Sequence, residues 1–217
     1  MLGVGGLAGH GHRELFLTLF GAARASEGEI AAAARPIRLR SPREAVRRAG
    51  IALVPEDRKT EGLLLPMSVR DNLTLAVLPR LSRFGFLRRR MERRLARAEV
   101  ERLKVRTAGL ATPVGALSGG NQQKVLLGRW LATEPRVLLL YDVTRGVDVA
   151  TKHEIYELMM RLAESGRAIL FYSSDAEELA HLCHRVMVMR EGRIVAELRA
   201  PGITAEQVVA AAVRDAA

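Results

Sequence analysis

The sequence predicts an α/β domain with a mostly parallel sheet and one helical insertion. Three observations predict it. Short apolar runs alternate with amphipathic stretches in the first and last thirds, a glycine-rich loop joins an opening strand to a helix, and an Arg-rich middle stretch lacks any strand signal. At 217 residues, 48% of them hydrophobic, the chain can bury one sizeable core.

Residues 1–6 read as a strand running into Gly6-Leu-Ala-Gly9-His-Gly11, and residues 12–21 then place Leu15, Phe16 and Leu19 at helical spacing. The stretch from there to Ser41 carries no assigned element. Ser41-Pro42 supplies a cap and a first-turn proline for a short helix that Gly50 ends, and residues 51–54, before Pro55, form a buried strand. From 67 to about 107 the pattern is helical throughout. A helix begins after Ser118-Gly119-Gly120 and runs to Thr133, where Pro135 blocks it. Strands at 137–141, 168–172, 186–189 and 193–198 then alternate with helices at 152–165 and 176–183, the last two strands meet at the turn Glu191-Gly192, and a final helix starts at Ala205.

Composition excludes several classes. One Cys rules out a disulfide scaffold, and 19 Gly with 8 Pro and no low-complexity tract rule out collagen-like or wholly disordered chains. No apolar run approaches the roughly 18 residues that span a bilayer, and the first residues lack a signal-peptide pattern, so the expectation is a soluble cytoplasmic protein. Lys+Arg 34 against Asp+Glu 24 gives +10, and between Arg80 and Arg106 eleven basic residues face three Glu, a local surplus of +8. Such a patch is either a solvated helix face or a docking face for nucleic acid or an anionic membrane. With 4% aromatic residues and no stacking cluster, nucleic acid is the less expected partner. His181, Cys183 and His184 fall on different faces of a helix and are expected to pack rather than bind metal. His153 is read as a surface residue, and Met159 and Met160 as part of a core stripe.

Gly6, Gly9 and Gly11, with His10 between the last two, fit the glycines of the phosphate-binding pattern G-x-x-x-x-G-K-[ST], in which backbone amides wrap phosphate, Lys neutralises it and a hydroxyl holds Mg2+. The next two positions depart from it. His12 stands where Lys is expected, and Arg13, without an oxygen to offer a metal, stands where Ser or Thr is expected. A glycine turn of this kind also arises for packing alone.

Leu117-Ser-Gly-Gly-Asn-Gln-Gln-Lys124 is more informative, because Ser118, Gly119 and Gly120 place a hydroxyl and bare amides at a helix N-terminus. The string resembles the signature of ATP-binding cassette (ABC) proteins, in the form found in monosaccharide importers. Val54-Pro-Glu-Asp-Arg-Lys59 with Gly62, Ser68-Val-Arg-Asp-Asn-Leu73 and Thr144-Arg-Gly-Val-Asp148 agree with it in order and spacing. Over almost its whole length the chain resembles the second nucleotide-binding cassette of the tandem ATPase subunit of ribose, galactose and xylose type importers, with the family's first strands and adenine-stacking aromatic missing from the front.

The resemblance implies a P-loop nucleotide hydrolase-like cassette over 1–217, with 1–66 and 134–217 as the α/β core and 67–133 as a helical subdomain. ATP and Mg2+ are the implied cofactors. Each ATP would lie between the phosphate loop of one cassette and the signature of another, in a homo- or heterodimer. Ser118, Gly119, Gly120 and Asn121 would meet the γ-phosphate of a partner's ATP, and Asp148 would link the two sites. For the chain's own site, counting back from Thr144 puts Tyr141 in the place of the metal-facing Asp. It puts Asp142 in the place of the catalytic Glu, one methylene shorter, while a one-residue shift that gave Asp142 the metal role would leave Val143 at the catalytic place, so neither register supplies both carboxylates. Ser174 takes the switch position and Glu56 the Gln-loop position. The further partners implied are membrane-spanning permease subunits and, indirectly, a periplasmic solute-binding protein, at the cytoplasmic face of a bacterial inner membrane. The basic stretch 88–97 would then lie near anionic lipid headgroups or acidic permease loops. A soluble ABC protein that works on nucleic acid and an inactive truncated cassette remain the alternatives.

Overall fold

The computed structural model describes residues 1–32 and 35–213. Strand β1 (Leu2–Gly5) leads through the glycine loop into α1 (His12–Leu19), followed by an antiparallel pair, β2 (Ile30–Ala32) and β3 (Arg35–Ile37). Helix α2 (Pro42–Glu44), capped by Ser41, continues as a wider turn to Ala49 and stops at Gly50, whose φ is 64°. Then come β4 (Ile51–Val54), α3 (Val69–Thr74), α4 (Leu78–Leu81), the pair β5 (Ser82–Arg83) and β6 (Phe86–Leu87), α5 (Arg89–Arg102) and α6 (Gly119–Leu131). The last part alternates: β7 (Val137–Tyr141), α7 (Val149–Glu164), β8 (Ala168–Tyr172), α8 (Ala176–Leu182), β9 (Arg185–Arg190), β10 (Arg193–Arg199) and α9 (Ala205–Val213).

The chain packs as two units, Met1–Leu53 with Arg136–Thr144 and Tyr156–Ala217, and Val54–Pro135 with Arg145–Ile155. The first unit is built on a sheet of order β10-β9-β1-β8-β7-β4. Its β1 runs parallel to β8 and β9, and β7 runs parallel to β8, while β10 returns antiparallel along β9. Strand β7 reads Val-Leu-Leu-Leu-Tyr with its three leucines buried, as a parallel strand covered on both faces requires. The register sets Val4 and Tyr141 on either side of Tyr172, so three strand ends finish in one row.

Two short antiparallel pairs depart from the sequence expectation. β2–β3 lies where no element was assigned, and β5–β6 interrupts the stretch read as helical throughout. Strands of two or three residues are too short to show a period. Phe84 and Gly85, with φ of 51° and 82°, supply the two left-handed positions that close a tight hairpin. Helix α7 starts at Val149 rather than at 152, because Asp148 accepts from the Thr151 backbone N–H at 2.9 Å and caps it. Met159 is buried as expected, whereas Met160 is 38% exposed and belongs to the surface.

In the second unit, Val69, Leu73, Ala96, Leu103, Val125, Leu126 and Leu131 form the apolar interior. One polar group is embedded in it. Asn72, fully buried, accepts from the Leu64 backbone N–H at 3.0 Å and donates to the carbonyls of Leu64 (3.0 Å), Ser68 (3.1 Å) and Met67 (3.2 Å). The buried Arg129 guanidinium donates to the Asn72 carbonyl at 2.8 Å, to the Asn72 side chain and to the Gly62 carbonyl, and burial pulls its pKa down to about 10. Asn72 therefore fastens the segment before α3 to α6. Asn72→Ala strands three carbonyls, an amide and part of a guanidinium, and is expected to lower unfolding stability by about 2–4 kcal/mol in a urea titration. A loss below 0.5 kcal/mol, the ordinary range of surface substitutions, would refute that role.

Candidate functional site

The predicted site residues fall into two groups, one in each unit. In the first, the loop from Gly6 to Gly11 leaves the end of β1 and enters α1 through three left-handed glycines. Gly6, at φ 139°, also has no room for a side chain, since a Cβ there would lie 2.2 Å from the Met189 carbonyl oxygen. The loop is tied to the β9–β10 turn: the Gly192 N–H donates to the His10 carbonyl at 2.9 Å and the Glu191 N–H to His10 Nδ1 at 3.2 Å. Gly11 caps α1 without a side-chain partner for the first-turn amides, and a Cβ at Gly9 would meet nothing within 4 Å. The open side of the loop is therefore a cradle of backbone donors suited to an anion.

His12 does not face that cradle. It is 1% exposed, its Nε2–H donates to the Gly5 carbonyl at 3.1 Å, and its ring lies 4.7 Å from that of Tyr172. Tyr172 stacks on Tyr141 at 4.6 Å, and Phe16 meets Tyr141 edge-on at 5.3 Å. Nδ1 of His12 is buried without a hydrogen-bond partner, so the ring is a neutral member of an aromatic cluster. Arg13, one position on, is exposed.

Beyond β7, Asp142 is buried at a left-handed φ of 50° with its N–H on the Tyr172 carbonyl at 2.9 Å. Its Oδ1 accepts from both the backbone N–H and the hydroxyl of Ser174, each at 3.1 Å, so these two predicted residues meet directly. Under them lies a residue the motif reading missed. The buried Glu178 carboxylate accepts from Thr144 (2.6 Å), Ser173 (2.7 Å) and the Tyr156 hydroxyl (2.6 Å), binding the segments on either side of Asp142 and Ser174. Burial, with Glu178 adding to it, pushes the Tyr156 phenol above its ordinary pKa. The sequence signal was two acids opening α8, which alone reads as an ordinary helix start.

The second group gathers at the N-terminus of α6. Ser118 is exposed at the cap position and makes no cap bond of its own. Asn121 donates to the Ser118 hydroxyl at 2.8 Å and accepts from the Arg106 N–H at 2.7 Å, so its amide braces the turn. A Cβ on Gly120 would lie 2.3 Å from Thr151 Oγ1 and 3.1 Å from Asp148 Oδ2, which brings the α7 cap against the start of α6. Asp148 also accepts from the Thr151 hydroxyl at 2.8 Å, and these hydrogen bonds hold its carboxyl below the usual range. Glu56 pairs with Arg145, and Arg58 donates to the carbonyls of Arg145 (3.4 Å) and Gly146 (3.3 Å).

With this geometry in place, residues 1–145 match the ABC transporter family model. The chain belongs to the ABC transporter family. It is 51% identical over 98% of its length to the ribose import ATP-binding protein RbsA 1 of Mesorhizobium japonicum, of which it covers 41%. It is 50% identical over 98% to RbsA 2 of Rubrobacter xylanophilus, covering 41% of that protein. The chain thus spans about two fifths of the curated relatives it matches. Among solved structures, a nucleotide-free ATP-binding cassette from an ABC transporter superposes with a TM-score of 0.79 at 23% identity, covering 93% of this chain and 81% of that one. A dimeric cassette in a post-hydrolysis state, bound to ADP and phosphate, gives 0.77 at 18% identity over 94% and 86%. The fold is the P-loop nucleotide hydrolase-like cassette of these ABC proteins.

For an ABC cassette, the anion cradle fits phosphate, but the residues beside it do not fit Mg2+. Arg13 has no side-chain oxygen to offer a metal, the Tyr141 ring stacks on Tyr172, and no cluster of three His, Cys, Asp or Glu exists among the described residues. His181, Cys183 and His184 form no such cluster either. Cys183 is buried, with its thiol pushed up to about 12 by burial, and His184 Nδ1 lies 2.7 Å from the Met1 amino group. His153 is exposed, and no described helix is long and apolar enough to cross a membrane.

The seat of His12 predicts a pH dependence. Burial first, and His10 next among the lowering influences, hold its pKa below 6.5, against the opposing Gly5 carbonyl and Glu14. The unfolded chain takes up a proton near 6.5 and the folded chain does not, so stability is full above that value and declines as pH falls below it. His12→Gln should flatten the decline in urea midpoints between about pH 7.5 and about pH 5. An unchanged slope in the variant would show that other groups carry it.

Proposed function

We propose that the chain is an ATP-binding cassette of a ribose-type importer, corresponding to the second cassette of the tandem ATPase subunit. It couples ATP binding at a cassette dimer to import through membrane-spanning permease subunits at the cytoplasmic face of a bacterial inner membrane, with a periplasmic binding protein choosing the solute. On this reading, residues 1–66 and 134–217 are its α/β core and 67–133 its helical subdomain. Its own phosphate site is impaired, and its signature completes the site of a partner.

The observation that carries this division is the contrast at position 12. His12 is 1% exposed inside an aromatic cluster, whereas Ser118 stands exposed over the first amides of α6. A phosphate in the cradle would find backbone donors with the His12 ring turned away from it, and Asp142 Oδ1 is engaged by the Ser174 hydroxyl. At the signature, the hydroxyl and amides of Ser118, Gly119 and Gly120 are the donors for the γ-phosphate of a partner's ATP, while Asn121 holds their turn. Val149, 84% exposed beside Asp148, gives that face an apolar side chain of the kind a second cassette would cover.

The test pairs one variant in each half. In a complex with an intact partner cassette, Gly119→Asp sets a carboxylate against the incoming phosphate and is expected to abolish ATP turnover. His12→Gln leaves turnover near the parent level. Equal loss in both would overturn the division of labour. Titration calorimetry of ATP on the chain alone should show binding that Mg2+ does not strengthen, and strong Mg2+-dependent binding would mean that His12, Arg13 and Tyr141 are compensated.

A further inference from the structure

The second unit carries a surface that the nucleotide chemistry leaves unused. Helix α5 turns Glu92, Ala96 and Glu99 inward. Arg90, Arg94 and Arg97 recur at i, i+4 and i+7 on the exposed face, with Arg93 beside them, over about 10 Å of helix. The inward carboxylates are paired where they sit, Glu92 with Arg89 (3.2 Å) and Arg70 (3.6 Å), and Glu99 with Arg102 (3.4 Å). None of the four outward arginines has a carboxylate partner among the described residues.

Immediately before α5, the β5–β6 hairpin holds Phe84 and Phe86 at 85% and 80% exposure, and Met91 at 43% extends the apolar surface into the first turn of the helix. A groove of about 400 Å3 runs beside Met91 and Arg94, floored by Val77, Leu81 and Leu95. Single exposed apolar residues are common, but two phenylalanines on one tight hairpin next to a cationic stripe form an amphipathic set. The Arg83 guanidinium lies 5.2 Å over the Phe84 ring and adds a cation to the same hairpin.

We propose that the hairpin and the outer face of α5 form a peripheral docking surface for an anionic phospholipid bilayer. Phe84, Phe86 and Met91 enter the boundary between headgroups and acyl chains, and Arg90, Arg93, Arg94 and Arg97 lie on lipid phosphates. The inference uses no property of the nucleotide site and stands or falls separately from the import reading.

The test is flotation of the full chain, without nucleotide, with vesicles of phosphatidylcholine alone or with about 30% phosphatidylglycerol. Binding is expected only to the anionic vesicles and falls as salt is raised. The double variant Arg90→Glu with Arg94→Glu lowers partitioning by about a hundredfold or more, since each charge near such a surface is worth about fivefold. Phe84→Ser with Phe86→Ser lowers it by about tenfold. All four positions are exposed, so thermal unfolding of both variants should match the parent. Equal binding to neutral vesicles, no binding to either, or parent-like binding of both variants would overturn the proposal. So would a single-stranded RNA that displaces the vesicles and is itself weakened by the Phe substitutions, in favour of nucleic acid.

Discussion

Parallel pairing of β1, β8 and β7 is the constraint on which the first unit's site depends. It ends three strands in one row, and the register puts Tyr172 between Val4 and Tyr141. Loops that leave such a row converge, which is why the glycine loop, Asp142 and Ser174 all gather at the carboxyl edge of the sheet. The same row decides what fills the space beneath them. With tyrosines ending β7 and β8, the neighbouring rings of Phe16 and His12 complete an aromatic cluster whose offset and edge contacts add about 1 kcal/mol per pair beyond their buried area. Packing thus holds His12 inward, turned away from the backbone donors of the cradle.

In the second unit, the start of α6 depends on a different economy, close approach. Gly120 lets Thr151 and Asp148 press against the helix N-terminus, and those two residues cap α7 with the same hydrogen bonds. The cap of α7 therefore lies against the start of α6. Asn121 is spent on Ser118 and Arg106, so the outward donors at this end are the Ser118 hydroxyl and the first amides of α6. Arg145 and Arg58 fasten the segment before Asp148 to the stretch after β4, through Glu56 and two carbonyls. A change at Glu56, Arg58 or Arg145 would loosen this bracing of the segment that leads into Asp148.

Much of the fold was legible because its strands are apolar and bounded by strong punctuation. The 168–172 strand was read to its ends, and Gly50, Gly166 and Gly192 mark stops with left-handed backbone. The short pairs β2–β3 and β5–β6 were not legible, since two or three residues carry no period and their turns are set by local φ. Spacing located the site residues but not their orientation. That His12 points inward follows from Tyr172, thirty residues beyond the nearest motif residue on its other side, Asp142, and paired to it only through the sheet. Glu178 was invisible for the same reason: its three hydroxyl donors come from three separate segments, and no local pattern announces a buried carboxylate.

On the proposed reading, the departures at 12, 13 and 141 belong together physically. A buried carboxylate at 141 would need a cation or metal beside it, and an ammonium at 12 would need an anion, because either charge alone in a desolvated seat is costly. Once one is replaced by a ring, the other loses its counter-charge and an apolar partner becomes the better neighbour. Tyr141 stacked on Tyr172, and Tyr172 against neutral His12, is the state in which neither position demands a charge. Arg13 is exposed on α1. On the proposed reading, the cluster then stabilises a cassette that keeps its loop and its signature without the charges that hydrolysis at its own site would require.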